Sequence, residues 1–101
     1  MQVDFLQEAK YELMDTVLSY ERELVGLGLR FWDEVDRHVE WVRSNYELPP
    51  VRPGGYRRVN LSVFPYYMPY IVRSTIWIVA VAHQHSRPNY WIGRAGTVPQ
   101  P

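Results

Sequence analysis

The chain has 101 residues, 47% of them hydrophobic, enough for one domain with one modest core and too many large apolar groups for a largely disordered chain. It has no cysteine, which excludes disulfides and thiolate metal sites and fits a reducing compartment such as the cytoplasm. Its formal charge at pH 7 is zero, so no bulk excess of one sign dictates a partner.

Residues 1–10 carry Asp4 and Glu8 instead of a basic segment followed by an apolar run, so no secretory leader is expected. Gln2–Phe5 alternates, with Val3 and Phe5 on one face, and reads as a short strand. Leu6, Ala9, Leu13, Val17, Tyr20 and Leu24 then recur at helical spacing, which predicts an amphipathic helix over about 7–24. Gly26 and Gly28 punctuate the chain. A second helix follows, with Phe31, Val35, His38 and Val42 as its apolar stripe and Asp33, Asp36, Arg37, Glu40 and Arg43 facing water. The short break between the two implies an antiparallel helical hairpin. Pro49-Pro50 and Pro53-Gly54-Gly55 end helix formation.

From Tyr56 the period changes to two. Tyr56–Val63 places Val59, Leu61 and Val63 on one face and Arg58, Asn60 and Ser62 on the other. Tyr66–Arg73 is a second strand, in which Pro69 requires an edge position or a bulge. Ser74-Thr75 turns the chain into Ile76–His83, an apolar run expected to be a central strand. Pro65, Pro69 and Arg73 interrupt the apolar stretch 59–82, which therefore reads as sheet and not as a membrane span. Ser86–Arg94 is a polar, aromatic extension, and residues 95–101 are expected to be a flexible tail. The expected fold is α+β, a single β-α-α-β-β-β domain over 1–94. Its helical hairpin covers one face of a small, mainly antiparallel sheet and leaves the other face free.

Charge is divided along the chain. Residues 1–47 hold all eleven acids and five of the eleven cations, a net of −6, and the remainder holds six arginines and no acid, a net of +6. Such a split suits an anionic partner for the second half. An acidic helical surface packed on a sheet that lacks acids accounts for it equally well, because strands disfavour Asp and Glu.

No P-loop, Gly-x-Gly-x-x-Gly, HExxH or Gly-x-Ser-x-Gly motif is present. His83-Gln84-His85 would present two imidazoles on one strand face, but no third ligand follows, so no metal is expected. Paired-carboxylate chemistry is not expected either, since the acids fall on helix surfaces where charge is solvated. The second half offers more. Arg58 should project from the free sheet face, the strand reading places His83, at the end of the central strand, and the segment through His85 to Arg87 on that same face, and Tyr90 and Trp91 follow just beyond. These supply guanidinium groups for phosphate, imidazoles for proton transfer near neutral pH and rings for stacking, the parts an RNA-cleaving site needs. The competing assignments are structural: Tyr90 and Trp91 as packing over the sheet edge, Tyr66, Tyr67 and Tyr70 as strand core, His38 as a satisfied buried histidine, and Trp32, Trp41 and Trp77 as core or partner-contact residues.

These pieces, in this order, resemble the RelE/ParE superfamily of type II toxins, the plasmid-stabilisation proteins. The resemblance spans about residues 3–94. It rests on Gly26-Leu27-Gly28-Leu29-Arg30-Phe31, Asp33-Glu34-Val35-Asp36, Arg57-Arg58 six residues before Phe64-Pro65-Tyr66, Ala80-Val81-Ala82-His83, Arg87-Pro88 and Tyr90-Trp91. It implies a bacterial, cytoplasmic, growth-inhibiting toxin, needing no cofactor and no membrane, that is neutralised in a hetero-oligomer by a cognate antitoxin. Relatives of one kind cleave mRNA on the ribosome as endoribonucleases, and relatives of the other poison DNA gyrase without catalysis. In the nuclease case the resemblance would assign Arg58 and Arg87 to phosphate, and His83 or His85 to proton transfer, with Tyr90 beside them. Ser62 and Val63 stand where many relatives carry basic residues. A protein-binding module that keeps the fold without toxicity is the third reading.

Overall fold

The computed structural model describes residues 1–100. The chain runs β1 (Val3–Phe5), α1 (Gln7–Glu23), α2 (Leu27–Asn45), β2 (Arg57–Asn60), β3 (Tyr66–Val72), β4 (Ile76–Ile78), β5 (Ala82–His83) and a 3-10 turn over Ile92–Thr97. The α+β class, the helical hairpin and the mainly antiparallel sheet are those expected.

The hairpin closes through its glycines and one carboxylate. Gly26 sits at φ +90°, a left-handed conformation that glycine adopts without steric cost. Gly28 lies where α2 touches α1, and a Cβ there would stand 2.5 Å from the Val17 carbonyl oxygen. Glu21 Oε2 accepts the Gly26 N–H at 2.9 Å and its Oε1 accepts the Gly28 N–H at 3.0 Å. A side chain of α1 therefore caps α2, meeting the positive end of its dipole and its otherwise unpaired donors.

The sheet order is β1-β4-β3-β2, with β5 also paired to β3. β1 is parallel to β4 and the other pairings are antiparallel. The helices bury Leu13, Phe31, Val35, Val39 and Val42 against Met68, Tyr70, Ile76 and Ile78. Tyr66 lies on this same face, 5.1 Å from the Phe31 ring, and the Tyr70 hydroxyl donates to the Tyr46 carbonyl at 2.9 Å.

Two strands differ from expectation. The first strand of the meander is Arg57–Asn60, shorter than Tyr56–Val63, because Ser62 and Val63 give their N–H groups to the Glu34 carboxylate instead of a ladder. The run Ile76–His83 is two strands, not one. Tyr70 pairs with Ile78 and Tyr67 with Ala82, so Val79–Val81 face only Met68 and Pro69 and carry one extra residue. That bulge sits where Pro69 has no N–H to give β4. The Val79 carbonyl, which a regular ladder would pair with that N–H, accepts Arg94 Nη1 at 3.1 Å instead. The Val81 N–H, left over by the bulge, goes to Glu12 Oε1 at 3.0 Å.

The face away from the helices is not free either. Trp91 is 1% exposed there, donating its Nε1–H to the Tyr67 hydroxyl at 2.9 Å and meeting the Tyr56 ring edge-on at 4.7 Å. The segment expected as a flexible tail continues this cover. It coils into the 3-10 turn, and Val98 is buried. An aromatic-rich end is held because the sheet offers it an apolar face to bury. Pro101 lies outside the described residues.

Candidate functional site

The sequence-predicted residues fall into three groups. His83 and His85 adjoin at the end of β5, and Arg87 follows two residues on, exposed. Arg58 lies elsewhere, and Tyr90 belongs to a structural network.

His83 ends β5 directly opposite Tyr66, so both side chains share the helix-side face. The His83 ring meets the Tyr66 ring edge-on at 5.0 Å and the His85 ring at 5.2 Å. His83 Nδ1 accepts the His85 backbone N–H at 3.0 Å. In its neutral form His83 therefore carries its proton on Nε2. Tyr20 of α1 adjoins this strip through Tyr66, with ring centroids 6.3 Å apart. Its hydroxyl pKa is raised, first by burial and then by Tyr66 and Glu23. His85 and Arg87 are exposed in the turns that follow. The strip is thus a pair of imidazoles beside two phenols at one end of the sheet.

Arg58 does not join it. Arg58 pairs opposite Pro69, on the face away from the helices, with its guanidinium 3.8 Å from the centroid of the Tyr67 ring and its Nε donating to Asn60 Oδ1 at 3.0 Å. Arg58 and His83 project from opposite faces of the sheet, which overturns the expectation of a single shared surface. The period-two reading placed Arg58 correctly. It misplaced His83, because the bulge at 79–81 shifts the parity of everything after it.

Tyr90 is held by Glu12. Its hydroxyl donates to Glu12 Oε2 at 2.6 Å, and its pKa is pushed up by burial and by that hydrogen bond, so it keeps its proton at neutral pH. Arg94 completes the network with a two-pronged bond to Glu12 at 2.9 and 3.0 Å. Arg57 is also engaged, donating to the Glu47 and Pro49 carbonyls at 2.9 and 2.6 Å.

The acids are not all solvated, contrary to expectation. Glu34 is 2% exposed and accepts the Ser62 and Val63 N–H groups at 2.7 and 2.8 Å. Glu12, Glu21 and Glu34 each neutralise backbone donors. The helical stripe held the signal: Glu12 is three residues from Ala9, and Glu34 three from Phe31. His38 is satisfied as expected, between the Glu34 carbonyl at 2.7 Å and Ser62 Oγ at 3.3 Å, but it is half-buried and not buried. Among the described residues no three potential metal ligands cluster, and no helix is long and apolar enough to cross a membrane.

The hairpin carries a second feature, a groove of about 350 Å³ whose lining is mainly apolar, Phe5, Leu13, Met14, Trp32, Val35 and Val39, and also includes Lys10 and Asp36. Met14 and Trp32 are 45% and 43% exposed, so the apolar lining of the groove meets water.

No protein-family model matches the chain, and no curated protein matches it. Among solved structures, a chain of the structure described as a chromosomal ParDE TA system from P. aeruginosa superposes with a TM-score of 0.61 at 20% identity, covering 82% of this chain and 95% of that one. The RelE/ParE-like fold expected from the sequence is the fold observed.

Proposed function

We propose that this chain is the toxin of a type II toxin–antitoxin pair, a cytoplasmic inhibitor of growth neutralised by a cognate antitoxin, and that it acts by binding DNA gyrase instead of cutting RNA. The toxin reading rests on the fold shared with a chain of a ParDE toxin–antitoxin structure. The apolar hairpin groove suits a helical segment of the antitoxin, whose apolar face would cover Met14 and Trp32.

The choice of target rests on one observation: Arg58 and His83 stand on opposite faces of the sheet. Phosphodiester cleavage needs a fixed cation aimed at the developing phosphorane charge beside the proton-transfer groups. Here Arg57 and Arg94 are bound to protein oxygens, Arg58 stacks on Tyr67, and Arg87 is exposed in a turn. Surface complementarity to a protein target makes no such demand. RNA cleavage is the second reading, favoured by the His83–His85 imidazole pair.

Induced expression without antitoxin separates the readings. Arrest with inhibited supercoiling, undiminished in a His83→Ala/His85→Ala double variant, is the expected result. New mRNA ends on translating ribosomes that vanish in that variant would establish the nuclease reading instead. Unimpeded growth at high expression would leave a non-toxic binding module.

A further inference from the structure

The two outer strands of the sheet are treated differently. β1 is one edge and β2 the other. Leu6 donates to the Ile78 carbonyl and Ile76 to the Gln2 carbonyl, so Val3 and Phe5 turn their backbone groups outward. The outward Phe5 N–H is already taken by Asp4 Oδ1 at 2.8 Å, and Arg43 Nη1 covers the neighbouring Met1 carbonyl at 3.2 Å. Side chains thus cover both ends of that edge, as they commonly do on free edges, while Val3 between them keeps its outward N–H and C=O.

β2 has no such closure. Leu61 donates to the Tyr66 carbonyl at 2.9 Å, which fixes the alternation: Arg57, Val59 and Leu61 bond inward to β3, and Arg58 and Asn60 turn N–H and C=O outward. Those outward groups have no partner among the described residues. β2 also lacks a proline or a bulge, both of which occur in this sheet at Pro69 and Val79–Val81. Beside the edge lies a cleft of about 350 Å³ lined by Arg37, His38, Trp41, Val59 and Asn60. Trp41 is 41% exposed at its wall.

We propose that β2 is a self-pairing edge. Two copies of this chain join antiparallel about a two-fold axis at Val59 and make one continuous sheet. The register follows from the residues. With the axis at Val59, Arg58 faces Asn60 of the partner subunit on both sides of the axis, and all four outward N–H and C=O pairs close as ladder bonds. An axis at Arg58 would set arginine against arginine. An axis at Asn60 would pair Arg58 with position 62, where the Ser62 N–H is already held by Glu34 at 2.7 Å. Only the Val59 axis satisfies every outward group without like charges opposed. Such an axis stands perpendicular to the sheet, so both helical hairpins fall on one side and the two clefts merge over the paired Val59 side chains, covering Trp41 of each copy. The zero net charge sets no bulk repulsion between copies. This inference is independent of the target and of the hairpin groove.

Sedimentation of the purified chain, together with an engineered thiol, tests it. The natural chain has no cysteine, so a single thiol reports its own neighbours. Opposed residues at the axis bring their Cβ atoms to about 4.5–5.5 Å, close enough for a disulfide after modest adjustment. The expected results are a dimer at micromolar concentration and oxidative cross-linking of a Val59→Cys variant well above that of a Val63→Cys variant. Val63 is 69% exposed and off the edge, so it sets the level of random collision. Asn60→Pro removes an outward donor and no inward one, and should weaken the dimer at least about tenfold while helical content is retained. A monomer at all concentrations, a dimer indifferent to Asn60→Pro, or a Val59→Cys cross-link no stronger than the control would each overturn the proposal. If Asn60→Pro fails to fold, the Val59→Cys comparison decides alone.

Discussion

Glu12 and Arg94 lie 82 positions apart and together stand in for two hydrogen bonds that the sheet cannot make. Pro69 has no N–H for the Val79 carbonyl, and the bulge leaves the Val81 N–H without a strand partner. Arg94 takes the first and Glu12 the second, while their mutual two-pronged bond fixes both. Removing either side chain leaves a buried backbone group unpaired and its former partner's charge uncompensated. Arg94→Ala and Glu12→Ala should each cost about 2–3 kcal/mol in chemical denaturation. The double variant should lose less than the sum, with a coupling of about 1–2 kcal/mol. Strict additivity would mean that the pair is solvated and idle. Arg94→Lys should recover only part, because an ammonium cannot serve a carboxylate fork and a carbonyl with one planar group. The network itself was not legible in advance. Glu12 falls within a helical stripe, but its purpose depends on a bulge and on a residue near the other end of the chain, which periodicity cannot connect.

The hairpin shows the opposite case, an element readable almost to its ends. Both helices follow from apolar residues three and four apart, and the break from Gly26 and Gly28. What the glycines do differs, and only the structure separates them. Gly26 supplies a left-handed turn, whereas Gly28 supplies space, since a Cβ would meet the Val17 backbone oxygen at 2.5 Å. Backbone cannot rotate away as a side-chain tip can, so Gly28→Ala must push α2 off α1 and loosen the Glu21 cap with it. The expected loss is about 1–3 kcal/mol in thermal or chemical unfolding. Retention of full stability would show that the helices can separate freely. The strands were legible as a meander, and Pro69 as the cause of a bulge or an edge. The cut inside Ile76–His83 was not, because an apolar run buried on both faces has no alternation to reveal a change of parity.

At the scale of the molecule, that one-residue shift decides which side chains meet, and it turns the arginine-rich second half from a shared surface into two. The charge split, −6 then +6, becomes partly internal: Arg94 answers Glu12, while Arg57 answers the carbonyls beyond α2. The sheet's second face is closed by residues 90–98, so the fold has three layers, with helices, sheet and a C-terminal cover. Trp91 is the centre of that cover, wedged between Tyr56 and Tyr67 and nearly inaccessible. Replacing it by alanine removes a whole indole and frees the Tyr67 hydroxyl, a change of about 3–5 kcal/mol in comparable cores. A marginally stable domain has about 5–15 kcal/mol in all, so this one substitution should consume a large part of it. A chain ending at Pro88 loses Trp91, Arg94 and Val98 together, and it also leaves the Val79 carbonyl unpaired and Glu12 without its Tyr90 and Arg94 partners. It should not fold cooperatively. A chain lacking only residues 99–101 keeps every one of those contacts and should melt within a degree or two of the full chain. If instead the chain ending at Pro88 melted like the whole protein, the cover would be an appendage, and the arginine on the far side of the sheet would stand on an open face after all.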